Sequence, residues 1–127
     1  MVKSISKEQL DKYCAMINID SLGLGIPQIE NRISSKKLVA VAADLAKRMQ
    51  MPFHQGAIFQ ADADSSSFLE RKIPAISIHG LSNQWREVLH TNEDKVSKVN
   101  PMSLYMGYRL ALALFGELEK SACDAFR

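Results

Sequence analysis

At 127 residues, 46% hydrophobic and 24% charged, the chain has enough apolar material for one core and nothing that calls for a second domain. Its 16 basic and 14 acidic residues are interspersed, leaving a formal net charge of +2 and no electrostatic footprint for nucleic acid or an anionic membrane. The longest apolar stretches, such as Leu110 to Phe115, fall far short of the roughly 18 residues that span a bilayer. Met1 to Gln9 has no apolar secretory core, which leaves localisation open because the true start can lie upstream.

Tyr13 to Ile19 is a near-continuous apolar run, short enough for a buried strand of the parallel-sheet kind. It ends on Asp20, and the turn-rich Ser21 to Pro27 that follows makes Asp20 a strand-end carboxylate. Ser34 or Ser35 caps a predicted helix to about Gln50, since Leu38, Val41, Leu45 and Met49 recur at helical spacing and Pro52 follows. His54 to Gln60 reads as a weaker strand. Asp62 to Ser67 reads as a polar loop leading into a helical turn through Phe68, Leu69 and Glu70. Ala75 to Ile78 is a short strand closed by His79 and Gly80. An irregular stretch to about Asn100 then carries Trp85 and His90. A loop that long in a small domain is more often functional than decorative. From Pro101 a helix runs to about Lys120, with Leu104, Tyr108, Ala111, Phe115 and Leu118 on one face.

Strands alternating with helices predict an α/β domain over 1–127, with a mostly parallel sheet of three or four strands. Cys14 and Cys123 stand far apart with no CxxC spacing, and the expectation is two unpaired thiols. Ligands of open α/β sheets bind beyond the carboxyl ends of strands, which turns attention to Asp20 and to the loop from His79 to Asp94. A carboxylate and a neutral imidazole both suit zinc, yet a catalytic zinc needs about three protein ligands, and two are too few. Taken alone, Asp20 suits a turn or cap and His90 a solvated loop. His79 and Trp85 read as packing residues near the cleft.

Three segments change that balance: Ile17-Asn18-Ile19-Asp20-Ser21-Leu22-Gly23, then Asp64 to Phe68 with Lys72 to Ile78, then His90-Thr91-Asn92-Glu93-Asp94. In order and spacing the run from about Tyr13 to Glu119 resembles the carboxy-terminal part of family twenty-eight of the metallopeptidases, which includes aminopeptidases and glutamate carboxypeptidases. The resemblance implies a three-layer, zinc-exopeptidase-like domain, incomplete at its amino terminus. It also implies hydrolysis of a peptide substrate by metal-activated water. Asp20 falls on a ligand of one zinc of a two-zinc centre, and His90 on a ligand of the other. The family's bridging aspartate and general-base glutamate come from His-x-Asp and Glu-Glu motifs. No histidine here is followed two residues later by Asp, and no acidic pair precedes Asp20. The resemblance therefore places both motifs upstream of Met1 and leaves this chain inactive by itself.

Asp64 falls on the family's Ser-Asp-His segment, but its neighbours here are Ala63 and Ser65, so a supporting role stands beside that of a turn cap. Asp94 is a supporting candidate that orients the His90 loop. Ser65 to Ser67 are not nucleophile candidates, because no histidine with an orienting acid is expected beside them. Expected partners are a peptide substrate and either a second copy or the missing amino-terminal half, with no nucleic acid and no membrane. A metal-free interaction domain and a glutaminyl-cyclase-like activity are the alternatives on the same scaffold. Substrate side-chain preference is not legible.

Overall fold

Among the described residues four strands form one sheet in the order β1-β4-β2-β3: β1 (Met16–Asp20), β2 (Gln28–Glu30), β3 (His54–Gly56) and β4 (Ala75–His79). The helices are α1 (Lys7–Leu10), α2 (Lys36–Arg48), α3 (Asp64–Glu70), α4 (Trp85–Val88) and α5 (Pro101–Lys120). The computed structural model describes residues 5–58 and 62–127. Pairings β1-β4 and β2-β3 are parallel, as expected, and β2-β4 is antiparallel. Among the described residues no helix is long and apolar enough to cross a membrane.

Because side chains alternate along a strand, the register divides the sheet into two unlike faces. Ile17, Ile29, Ile76 and Ile78 point one way and join Leu38, Ala42, Leu45, Leu110 and Leu114 of α2 and α5 in the core. Asn18, Asp20, Gln28, Glu30, Ser77 and His79 point the other way. α3 covers part of this polar face by packing on β1 and β4. Asn18 Nδ2 donates to Ser77 Oγ at 3.0 Å, so that buried pair is satisfied.

Two serines join α2 to β4. Ser35 is the residue before the helix, but its hydroxyl makes no cap bond and instead accepts from the Ala75 N–H at 3.0 Å. Ser34 Oγ accepts from the Ser77 N–H at 2.9 Å. β2 reaches only Ile78 and His79, so these hydroxyls serve β4 donors that lack a strand partner. α5 spans the predicted limits, and Asn100 Oδ1 caps it by accepting from the N–H groups of Met102 and Ser103.

Several expectations need correction. Cys14 and Cys123 are bonded as a disulfide, with Cα atoms 4.6 Å apart. Their 109-residue separation hid this, because the fold brings the approach to β1 beside the turn that follows α5. Tyr13 lies outside β1 and, with Ile19, is exposed, because β1 is an edge strand rather than a central one. β2 had no counterpart in the sequence reading. β3 ends at Gly56, and Phe59 and Gln60 of the expected strand lie outside the described residues. α3 begins at Asp64, inside the expected polar loop. On α5 the buried positions are Ser103, Gly107, Leu110, Ala111 and Leu114, whereas Leu104, Tyr108 and Phe115 of the expected stripe are exposed. Small residues explain the choice: a Cβ on Gly107 would stand 2.7 Å from Leu22 Cδ1, and the Ser103 hydroxyl donates to the Gly25 carbonyl. The helix approaches the turn after β1 on the side where it is thinnest.

Candidate metal centre

Asp20 and His79 are paired across β1 and β4 at their carboxyl ends. The turns that follow are strapped together: the Gly25 N–H donates to the Gly80 carbonyl at 2.6 Å, and the Gly80 N–H to the Ser21 carbonyl at 3.1 Å. The Asn100 N–H adds a bond to the Gly23 carbonyl at 2.8 Å, which ties in the start of α5. Gly23 adopts φ 115°, and Ser21 takes the left-handed value of 49° immediately after Asp20, a conformation that costs a residue with a Cβ roughly 1–2 kcal/mol.

His90 is delivered by α4. The Thr91 hydroxyl donates to the carbonyls of Glu87 and Val88 at 3.1 and 2.8 Å and folds the chain back over the end of that helix. His90 is thereby held at φ 62°. The outcome is a cavity of about 420 Å³ lined by both Asp20 and His90, together with Glu30, Asp62, His79 and Trp85. Two positions that are 70 apart in sequence thus share one wall-to-wall space.

Asp64 opens α3 and lines an adjoining cavity of about 440 Å³ with Asn18, Asp20, Asp62 and Ser67. No histidine borders that space, so Ser67 has no base beside it there. Asp94 lies in the exposed run 91–100, where its N–H donates to the Thr91 carbonyl. It lines neither cavity. Asp20 and His90 are thus brought together, Asp64 sits on the far side of Asp20, and Asp94 stays outside.

Two contributors, Asp62 and Glu30, escaped the sequence reading of the site, and a third, His79, was read only as a packing residue near the cleft. Asp62 borders both cavities. Glu30, at the end of β2, is buried, and its two carboxylate oxygens accept the N–H groups of Arg32 and Ile58. His79 is 6% exposed, and its Nδ1 accepts the Leu81 N–H at 3.2 Å. Burial pushes the pKa of His79 down, against the opposing pull of Glu30 and Asp20. The ring is therefore neutral with its proton on Nε2, and that nitrogen has no hydrogen-bond partner among the described residues. Trp85 also borders the cavity, with the Arg86 guanidinium 4.6 Å from its ring centre. A strand-end histidine was the one legible signal among these.

The donors are of the kind zinc takes, a carboxylate oxygen and an imidazole nitrogen. The fold leaves them free: the Asp20 carboxylate accepts only the Ser21 hydroxyl, at 3.0 Å, among the described residues. In number they are too few, for among the described residues no group of three or more His, Cys, Asp or Glu side chains is placed to hold a metal ion.

The fold is similar to that of the Legionella pneumophila LapA aminopeptidase, with a TM-score of 0.74 and 20% identity over 85% of this chain and 31% of that one. It is also similar to BSAP, a zinc aminopeptidase from Bacillus subtilis, with a TM-score of 0.72 and 15% identity over 98% of this chain and 33% of that one. The chain thus spans about a third of the length of these structures. No curated protein matches it in sequence. The sequence model of Peptidase family M28 matches residues 1–115, and the chain belongs to that family.

Proposed function

We propose that this chain supplies one side of a two-zinc exopeptidase centre of the aminopeptidase type, with Asp20 on one ion and His90 on the other. The observation that carries the proposal is the cavity these two residues share at the carboxyl ends of β1 and β4, where ligands of such sheets bind. Zinc in a centre of this kind supplies a Lewis acid and lowers the pKa of water. The chain's own residues do the holding. Ser21 orients the Asp20 carboxylate through its hydroxyl, and the α4 turn presents the His90 ring. The general-base glutamate and the remaining ligands belong to a polypeptide portion that packs along the β1 edge and the exposed apolar side of α5. The substrate is a peptide with a free amino terminus.

The test is zinc binding by the purified 127-residue chain, read by equilibrium dialysis, beside release of product from an aminoacyl anilide. Weak zinc binding is expected, reduced at least about tenfold in Asp20→Ala and in His90→Ala, with no hydrolysis by any of the three. Unchanged zinc binding in both variants overturns the ligand assignment. Zinc-dependent turnover by the wild-type chain alone overturns the need for outside residues.

A further inference from the structure

At the end of β4 remote from His79, the start of α2, the turn after α3 and the turn after α5 enclose an open groove of about 290 Å³. The five residues of β4 set the two ends of the strand about 16 Å apart, and the groove shares no lining residue with the metal cavity. Its floor is apolar. Ile73 and Pro74 are buried as they lead into β4, and Leu69 and Phe126 complete the walls, Phe126 as part of the core. Its rim is cationic: Lys36, Lys37, Lys72 and Arg127 line it, all exposed, and no Asp or Glu does. Two of the four are already engaged. Arg127 is held by Asp11 and by the carbonyls of Asp11 and Tyr13, and Lys37 Nζ donates to the Arg127 carbonyl. Lys36 and Lys72 have no ion pair or side-chain hydrogen bond among the described residues. Ser35 also lines the groove, and with its hydroxyl accepting from Ala75, α2 begins there without a side-chain cap, which adds the positive end of the helix to the same side.

We propose that this groove binds a carboxylate carried on an apolar chain, either a fatty-acid anion of medium length or an apolar residue at the carboxyl end of a peptide. The carboxylate meets Lys36 and Lys72, and the chain covers Leu69, Ile73, Pro74 and Phe126. Charge complementarity selects this occupant. A cation meets four positive side chains. A neutral sugar or amide finds donors without acceptors, because the Ser35 oxygen and the Arg127 carbonyl are already used. An inorganic anion gains only salt-screened attraction from exposed lysines and leaves the apolar floor in water. A chain on that floor adds up to about fourfold in affinity for each CH2 it removes from water. The groove lies at the opposite end of β4 from the metal cavity, so it is a site for a separate ligand, and the proposal does not depend on the zinc assignment.

The test is a titration of the zinc-free, ¹⁵N-labelled chain, followed through its backbone amide resonances. The probes are octanoate below its micelle concentration, butyrate, octylamine, and an acetylated leucine dipeptide with a free or an amidated carboxyl end. The expected result is saturable shifts at Lys36, Lys72 and Ile73 with octanoate, at least about tenfold tighter than with butyrate. Octylamine and the amidated dipeptide leave these resonances in place, and Asp20 and His79 do not move. Lys36→Gln with Lys72→Gln weakens octanoate binding about fivefold, whereas Lys36→Arg with Lys72→Arg retains it. Leu69→Ala narrows the ratio of octanoate to butyrate affinity. Tighter binding of octanoate than of the free dipeptide assigns the groove to a fatty acid, the reverse to a peptide carboxyl end, and both support it. No saturable shift with octanoate, equal affinity for butyrate, an equal response to octylamine, shifts centred on Asp20 and His79, or binding unchanged in the double glutamine variant overturns the proposal. Circular dichroism checks that variant, and if it fails to fold the comparison of octanoate, butyrate and octylamine on the wild-type chain decides alone.

Discussion

Gly80 has no room for a methyl group: a Cβ there would stand 2.9 Å from the Gly23 nitrogen and 3.1 Å from the Leu22 Cα, both backbone atoms. Gly80→Ala must therefore part the two turns that carry Asp20 and the His90 loop. The expected loss is about 1–3 kcal/mol in chemical denaturation, with weaker zinc binding alongside it. Gly116, inside α5, has nothing within 4 Å of a Cβ, so Gly116→Ala should instead stabilise by about 0.5–1 kcal/mol and leave zinc binding untouched. At this scale Asp20 and His90 were singled out by the segments shared with the peptidase family, since taken alone they suited a turn and a solvated loop. Glu30 was not, and His79 was legible only as a packing residue near the cleft. Their importance comes from burial, and nothing local to Gln28-Ile29-Glu30 marks an acid that lies under a loop.

Helices α2 and α3 end alike. The N–H of Gln50 donates to the Lys47 carbonyl and that of Met51 to Ala46; likewise Lys72 donates to Leu69 and Ile73 to Phe68. This is the Schellman pattern, whose left-handed residue is normally glycine, yet Gln50 and Lys72 hold φ 53° and 60°. Gln50→Gly and Lys72→Gly should each raise stability by up to about 1 kcal/mol, measurable as a higher denaturant midpoint at constant slope. A loss in both would show that the strain is taken up elsewhere. Without glycine the stop of α2 was legible only through Pro52, which is why α2 was expected to run to Gln50 and ends at Arg48. The opposite difficulty affected α5. Its start follows from Pro101 and its extent was readable, but it is apolar on more than one side, so periodicity could not say which side is buried. Leu114, wholly buried, is the position where Leu→Ala should cost about 2–5 kcal/mol. Leu112→Ala, on the exposed side, should cost far less.

At the scale of the whole molecule, the Cys14 to Cys123 bond closes a loop of 109 residues, and closing a long loop restrains the unfolded chain strongly. Reduction, or Cys14→Ala, should lower stability by about 2–5 kcal/mol, and a melting temperature indifferent to reductant would contradict it. α5 packs on β1, the edge strand of the sheet, and exposes Tyr105, Tyr108, Leu112 and Phe115. An apolar surface beside an open strand edge favours association. The purified chain is expected to elute larger than a monomer in size exclusion, and Tyr108→Glu with Phe115→Glu should shift it toward the monomer. The sequence alone determined the α/β class, the extent of α5, the strand that ends on Asp20 and the order of segments shared with the peptidase family. These follow from local spacing, breakers and short motifs. Only the tertiary structure decided which face of the sheet is polar, which side of α5 is buried, the disulfide, and the meeting of Asp20, Glu30, His79 and His90 in one cavity. Each of those depends on strand register and on contacts between distant residues, and no window along the chain contains them.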